Sequence, residues 1–300
     1  MCTVAATSRA ASVGVADCVR RTAATRAATA AQRDLSSLQS TIFNSAMNIV
    51  ITGASEGIGA ALATQLGARG DRVVLAARRE RELNEMATRS GPQALAVPTD
   101  VTRRAQVERL RDRAIDALGH IDVWVNNAGR GVSKLVAELT DDEFDSAMRD
   151  NVKSALYGMQ AVLPHFLARE RGHIVNVSSF LSRVPMVAIR SAYSAAKAAL
   201  NSLTANLRTD LAGSHPGIHV TLVMPGVVAT NFRNNALHGT PAIRPGTGPP
   251  GIQSADEVAA AIVRVIDHPV AEVYTNPAHA VVAQQYFSDV DEFERASRLP

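Results

Sequence analysis

The chain is poor in cysteine: it has two in 300 residues, Cys2 and Cys18, both close to its amino end. From Met47 onward no thiol is available for a disulfide, a sulfur nucleophile or a thiolate metal site, so that chemistry is excluded there. No stretch approaches the roughly 18 consecutive apolar residues of a spanning helix, and no membrane insertion is expected. Eight histidines occur, yet none forms an HExxH or similar ligand spacing. His215 and His219 are separated by Pro216 and Gly217, which break the helix that would align them, and no metal is expected. Charge of one sign is also scarce. The formal net charge of +3 is accounted for by residues 1–46, which hold five arginines against Asp17 and Asp34. The remainder is formally neutral, so the pI near 9.1 describes the leader and gives no reason to expect nucleic-acid binding by the body. Nucleic-acid binding through the leader would be salt-sensitive and lost on its removal.

What is present divides sharply at Met47. Residues 1–46 are rich in Ala, Ser, Thr and Arg, lack lysine and show no sustained period, and are read as a disordered leader. An Arg-rich, acid-poor leader fits an organellar transit segment; the alternative, favoured here, is a leader without a targeting role that precedes a start at Met47, with a cytoplasmic location. From Asn48 strand and helix signals alternate. Strands are expected at 48–52, 72–77, 94–97, 123–126, 174–177, 219–224 and around Val273 and Tyr274. Helices are expected at 58–69, 80–89, 102–118, from Thr140 toward Leu167, at 192–211 and from Ser254 to about Ile266. Thr140 with Glu143 and Ser254 with Glu257 have capping-box spacing, and Pro164 should kink the last turn of its helix. Near-continuous apolar strands separated by helices imply an α/β fold, a doubly wound parallel sheet covered on both faces. Residues 231–253, dense in Pro and Gly, read as a lid or binding loop.

Three motifs carry chemistry. The first strand runs into Thr52-Gly53-Ala54-Ser55-Glu56-Gly57-Ile58-Gly59. Glycines allow a tight turn and close approach of a pyrophosphate, whose charge the following helix N-terminus favours; a turn without a ligand is the alternative. The second strand ends in Ala77-Arg78-Arg79. A guanidinium there suits the 2′-phosphate of NADP, whereas an acidic residue would suit the ribose of NAD; a solvated charge run continuing through Glu80, Arg81 and Glu82 is the alternative. Tyr193 and Lys197 lie one helical turn apart and project from one face. With four tyrosines and three lysines in the chain, such a pair is expected about 0.04 times by chance. A phenol is a poor acid-base group at neutral pH, and an adjacent ammonium would stabilise its phenolate and pull its titration below the ordinary value.

In order along the chain these motifs are joined by Asn126-Asn127-Ala128-Gly129, Asn151, Ser178-Ser179, and Pro225-Gly226 with Thr230. From Asn48 to about Thr275 the chain resembles the short-chain dehydrogenases/reductases. The resemblance implies a single Rossmann-type domain with strand order 3-2-1-4-5-6-7, and a homodimer or homotetramer built through the helices carrying Asn151 and Tyr193. It implies reversible hydride transfer between NADP(H), or less readily NAD(H), and a small-molecule carbonyl or secondary alcohol. Tyr193 would donate and accept the proton, Lys197 would lower its pKa and hold the nicotinamide ribose, and Asn151 would order a water. Ser179 would polarise the carbonyl, with Ser178 as the alternative because the 14-residue separation of Ser179 from Tyr193 is one longer than is common in the family. The cofactor would be held by Gly53, Ser55, Gly57, Ile58, Gly59, Arg78, Asp100, Asn127, Tyr193, Lys197, Pro225, Gly226 and Thr230. Asp100 as a helix cap and Thr230 as a loop hydroxyl are the plainer readings of those two residues. A dinucleotide-sensing regulator on the same fold is the alternative function, and it predicts loss of the catalytic pair. The apolar residues after Ser179, among them Phe180, Leu181, Val184, Met186 and Val187, fit an apolar substrate or burial against the lid or a partner subunit.

Overall fold

The central strands are apolar along their length because both of their faces are covered. The computed structural model describes residues 46–187, 189–232, 235–239 and 251–297. The expected leader lies outside these residues except for Ala46, and the expected lid is described only at 231–232, 235–239 and 251–253. Among the described residues the strands are β1 (Asn48–Thr52), β2 (Arg72–Ala77), β3 (Leu95–Pro98), β4 (Val123–Asn126), β5 (Gly172–Val177), β6 (Ile218–Met224), β7 (Val228–Ala229), β8 (Gln253–Ser254) and β9 (Glu272–Tyr274). Seven form a wholly parallel sheet in the order β3-β2-β1-β4-β5-β6-β9, while β7 and β8 pair with each other. This is the expected 3-2-1-4-5-6-7 order, its seventh strand numbered β9 because two short strands intervene.

The helices are α1 (Gly57–Arg69), α2 (Glu80–Ser90), α3 (Arg104–Leu118), α4 (Asp141–Met148), α5 (Ser154–Arg169), α6 (Ser191–Ala212), α7 (Ala255–Asp267), α8 (Ala278–Ser288) and α9 (Val290–Ser297). Side chains of a strand alternate between faces. Ile49 and Ile51 of β1 therefore pack with Leu62 and Leu66 of α1, Leu83 of α2 and Ile262 of α7. Val50 faces the other way, toward Leu110 of α3, Val162 and Phe166 of α5 and Leu200 of α6. Each of these side chains is fully buried, which stabilises the fold by about 1.5–3 kcal/mol apiece before the entropy of ordering is set against it.

Two departures from the sequence pattern bear on the site. The helix expected to run unbroken from Thr140 begins with the expected capping box, Glu143 N donating to Thr140 Oγ1 at 3.3 Å and Thr140 N to Glu143 Oε2 at 3.0 Å. It then widens into a π turn over Arg149–Lys153 before α5 continues. A single extra residue shifts the apolar stripe by only one position, so the sequence pattern runs one helix through this point. Helices α8 and α9 follow the last strand and bury little, only Ala283 of α8 and no residue of α9.

Between α5 and the sheet lies a buried polar chain. Trp124 Nε1 donates to Asn126 Oδ1 at 2.8 Å, Asn126 Nδ2 to Asn176 Oδ1 at 2.8 Å, and Asn176 Nδ2 to Thr204 Oγ1 at 2.9 Å. Gly158 of α5 packs directly on it: a Cβ there would lie 2.1 Å from Asn126 Oδ1 and 2.6 Å from Trp124 Nε1. Gly158→Ala gains up to about 1 kcal/mol of helix propensity but must displace a satisfied buried network. A net loss of roughly 1–3 kcal/mol is expected in equilibrium urea unfolding; a stabilised variant would show that the network yields at no cost.

Candidate active site

The carboxyl ends of β1 and β4 are held together by one threonine and one asparagine. Thr52 Oγ1 donates to Val125 O (3.2 Å) and accepts from Asn127 N (3.0 Å) and Ala128 N (3.1 Å), which uses the full capacity of a hydroxyl. Asn127 Nδ2 donates in return to Thr52 O (2.9 Å) and Gly53 O (3.2 Å). The glycine turn lies within this knot. Gly53 has φ +67°, and a Cβ on it would be 2.8 Å from Ala128 Cα; a Cβ on Gly59 would be 2.4 Å from Gly53 O. No side chain fits at either position, so backbone N–H groups and the start of α1 form a bare cradle at the point where the strand order reverses.

The other expected cofactor residues surround that cradle. Ser55 Oγ accepts from Arg79 Nη2 at 3.1 Å, and the same guanidinium nitrogen pairs with Glu56 at 3.1 Å. Arg78 is exposed at the end of β2, and its charge acts on Asp100. Asp100 accepts from Thr102 N (3.0 Å) and Thr102 Oγ1 (2.7 Å), closing a turn ahead of α3. Burial pushes its carboxyl up, but the Thr102 hydrogen bonds and the charges of Arg78 and Arg103 outweigh this and leave it below the ordinary range. Ile58 packs against the core, and Thr230 Cγ2 lies 3.4 Å from where a Cβ of Gly57 would stand. Pro225 O accepts from Phe180 N at 2.8 Å, and Gly226 leaves space filled by His279, whose ring stacks on Phe180 at 4.2 Å. The bare turn, the free helix start and the nearby guanidinia suit a nicotinamide dinucleotide.

Beyond the end of β5 the expected catalytic residues come together. Tyr193 and Lys197 lie in the first two turns of α6, both buried, with Lys197 Nζ 5.8 Å from the Tyr193 ring centre. Ser179 lies near enough to the Tyr193 phenol to act on it as a hydrogen-bond partner, whereas Ser178 is committed elsewhere, donating to Asn201 Oδ1 at 2.6 Å. Of the two serines the structure thus sets Ser179 against the phenol. The π turn carries Asn151, fully buried, with its amide bonded to Arg130 O (2.9 Å) and Ala147 O (3.0 Å) and its Oδ1 accepting from Arg130 N (3.1 Å). Gly129 lies between: a Cβ on it would be 2.7 Å from Asn151 Oδ1 and 3.4 Å from Lys197 Nζ.

Electrostatics correct one expectation. Burial raises the Tyr193 phenol above its ordinary value, and the Ser179 hydrogen bond and the positive charge of Arg190 only partly oppose it. Lys197 does not bring the phenol below that value. Its Nζ donates to Val177 O at 2.9 Å, and burial lowers its own pKa to about 8. In a dry pocket the neutral form of each group is favoured. Residues without a motif also enter the site: Arg190 and Phe232 beside Tyr193, Asn201 behind Ser178, and Arg79 over the glycine turn. Only Arg79 stood beside an expected residue; the others are brought in by folding.

A doubly wound sheet with a side-chain-free turn at its switch point defines a dinucleotide-binding protein of Rossmann type. The family model described as short chain dehydrogenase matches residues 47–240, and the chain belongs to that family of oxidoreductases. It is 37% identical over 181 residues to an uncharacterized oxidoreductase of Staphylococcus epidermidis, a match covering 60% of this chain and 77% of that protein. Among solved structures it is similar to a short-chain dehydrogenase/reductase from Burkholderia phymatum in complex with NAD, with a TM-score of 0.74, 26% identity, and coverage of 82% of this chain and 94% of that one. It is also similar to an alcohol dehydrogenase from the archaeon Thermococcus sibiricus complexed with 5-hydroxy-NADP, with a TM-score of 0.65, 26% identity, and coverage of 77% and 96%.

The depressed lysine gives a test of the site's dryness. Below pH 8 Lys197 is protonated in folded and unfolded chains alike, and the fold carries the cost of a buried charge. Between about pH 8 and its ordinary value of 10.5 the folded state has released the proton and the unfolded state has not, so stability rises with pH. Relative to Lys197→Met, the wild type should gain up to about 3 kcal/mol across that window in chemical unfolding at stepped pH. Parallel curves would mean that the amine is hydrated.

Proposed function

We propose that the protein transfers hydride reversibly between NADP(H) and a carbonyl or secondary-alcohol substrate, with Tyr193 giving and taking the proton. The observation that supports this best is the meeting of the Tyr193 phenol, the Ser179 hydroxyl and the Lys197 amine beside Gly129 and Asn151, next to the bare glycine turn. A bound nicotinamide dinucleotide supplies the hydride. Ser179 and Tyr193 polarise the substrate oxygen by hydrogen bonds, and the Tyr193 proton moves onto that oxygen as its negative charge develops. Lys197 stabilises the phenolate that remains and holds the nicotinamide ribose. Asn151 orders the water through which the proton is replaced. Gly53, Gly57, Ile58 and Gly59 receive the diphosphate, with Asn127 fixing the turn beneath it. Asp100 holds the adenine, and Pro225, Gly226 and Thr230 receive the carboxamide end.

Preference for NADP is supported by the end of β2, where Arg78 stands in place of a carboxylate and Arg79 crosses to Ser55. In this reading residues 1–46 are dispensable, in keeping with a family match that begins at residue 47, and 231–253 serve as a lid over the substrate. The working form is a cytoplasmic homodimer or homotetramer built through the helices that carry Asn151 and Tyr193.

Tyr193→Phe removes one hydroxyl, so fold and cofactor binding should persist while turnover falls by roughly 10²-fold or more. Ser179→Ala should lower turnover as well, whereas Ser178→Ala should act mainly on stability through Asn201. NADPH oxidation screened against ketones, aldehydes and quinones, followed by steady-state kinetics and a cofactor titration, checks these outcomes. Wild-type turnover in Tyr193→Phe would take the phenol out of the mechanism and favour a dinucleotide-sensing role. Arg78→Asp should reverse the preference between NADPH and NADH, chiefly in affinity. Equal binding of the two by the wild type would defeat the assignment.

A further inference from the structure

No motif marks Arg190, yet it is the buried cation one helical turn ahead of Tyr193. It closes the loop after β5 and precedes α6, and its side chain is 7% exposed. The backbone there is anchored: Arg190 N donates to Val187 O at 2.9 Å, Arg190 O accepts from Ser194 N at 2.8 Å, and the residue bridges to Lys134. The guanidinium reaches across to Gly131 in the loop after β4. A Cβ on Gly131 would be 2.5 Å from Arg190 Nη1, 3.0 Å from Ala236 Cβ and 3.3 Å from Phe232 Cε1. Phe232 in turn lies against Tyr193, with ring centres 5.5 Å apart. A glycine therefore makes room for a cation in the wall of the chamber that holds the phenol.

The other charged groups on the surrounding elements are engaged elsewhere. Arg183 pairs with Glu272 at 2.6 Å, Arg130 donates to Asn235 O at 3.2 Å, Lys134 faces Glu143 at 4.0 Å, and Asp150 lies 3.9 Å from Arg149. Lys197 faces the Tyr193 ring from the same helix, but with a pKa of about 8 its charge fades through the mildly alkaline range. A guanidinium keeps its charge throughout that range, and burial leaves it poorly screened.

We propose that Arg190 is a positioning residue for the proton chemistry of Tyr193: its guanidinium, seated against Gly131 and Phe232, stabilises the phenolate when Lys197 no longer can. The charge of Arg190 acts on the phenol in that sense. Its catalytic meaning rests on the reading of Tyr193 as the proton-transfer residue; its physical content does not. Ultraviolet tyrosinate absorbance followed against pH, with the Tyr193→Phe titration subtracted, reads this one phenol without cofactor or substrate. In Arg190→Met the midpoint should move upward, corresponding to about three- to tenfold tighter proton binding, and Arg190→Lys, whose ammonium begins to lose its charge where the phenol titrates, should restore only part of the change. Gly131→Ala, which displaces the guanidinium and keeps it in the protein, should move the midpoint the same way by less. An unchanged midpoint in folded Arg190→Met overturns the proposal; if that variant does not fold, an unchanged midpoint in Gly131→Ala does so. The two readings fail separately. Full turnover in Tyr193→Phe removes the acid-base role and leaves the titration shift standing, while an inactive Tyr193→Phe with no titration shift removes Arg190 alone.

Discussion

The exchange of hydrogen bonds between Thr52 and Asn127 is the constraint on which the site depends. It ties the end of β1 to the loop leaving β4 through a hydroxyl with no capacity to spare and an amide that returns two bonds. Because the strand order reverses between the paired β1 and β4, this knot holds the glycine turn against the loop that runs on to Gly129. Its tightness is what forbids a side chain at Gly53 and Gly59. The loop it positions supplies both backbone groups of Arg130 that clasp Asn151. One pair of small polar side chains thus relates the two halves of the site, the cradle on one side and Asn151 with the Gly129 loop on the other.

Proton chemistry in this pocket is governed by desolvation before it is governed by any single charge. A phenol and an amine set side by side and buried are both pushed toward their neutral forms, the phenol upward and the amine down to about 8. Forming phenolate beside ammonium there means burying two charges, which attraction offsets only when hydrogen bonds complete the arrangement. The chain provides such bonds: Ser179 to the phenol and the Val177 carbonyl to the amine. Their placement follows from the sheet, since Val177 ends β5 and Ser179 lies two residues on. The phenol meets a strand end rather than bulk water, and the geometry of that end sets its proton affinity.

The break between α4 and α5 shows how a local departure from regular helix serves the site. A π turn costs regular hydrogen bonding, and here it delivers Asn151 with every polar atom of its amide engaged by Arg130 and Ala147. The buried chain from Trp124 to Thr204 plays the matching part below, holding β4, β5 and α6 in register while Gly158 lets α5 approach.

By itself the sequence determined the elements that depend on neighbours close along the chain. The run of Val, Leu and Ala at 72–77 makes β2 a strand, Ser254 and Glu257 cap α7, and the glycines after Thr52 require a tight turn. It also placed Tyr193 and Lys197 on one face, because helical spacing alone does that. Tertiary structure decided what depends on contacts between distant residues. The different surroundings of the two serines turn on Asn201, 23 residues from Ser178, which engages the Ser178 hydroxyl and not that of Ser179. The upward shift of the phenol turns on burial, which no local pattern of residues encodes. Arg190 joins the site because Gly131, some 59 positions earlier, has no side chain where the guanidinium comes to rest. Spacing along the chain reports what one turn or one strand can align, whereas dielectric environment and exclusion of volume exist only once the layers are packed.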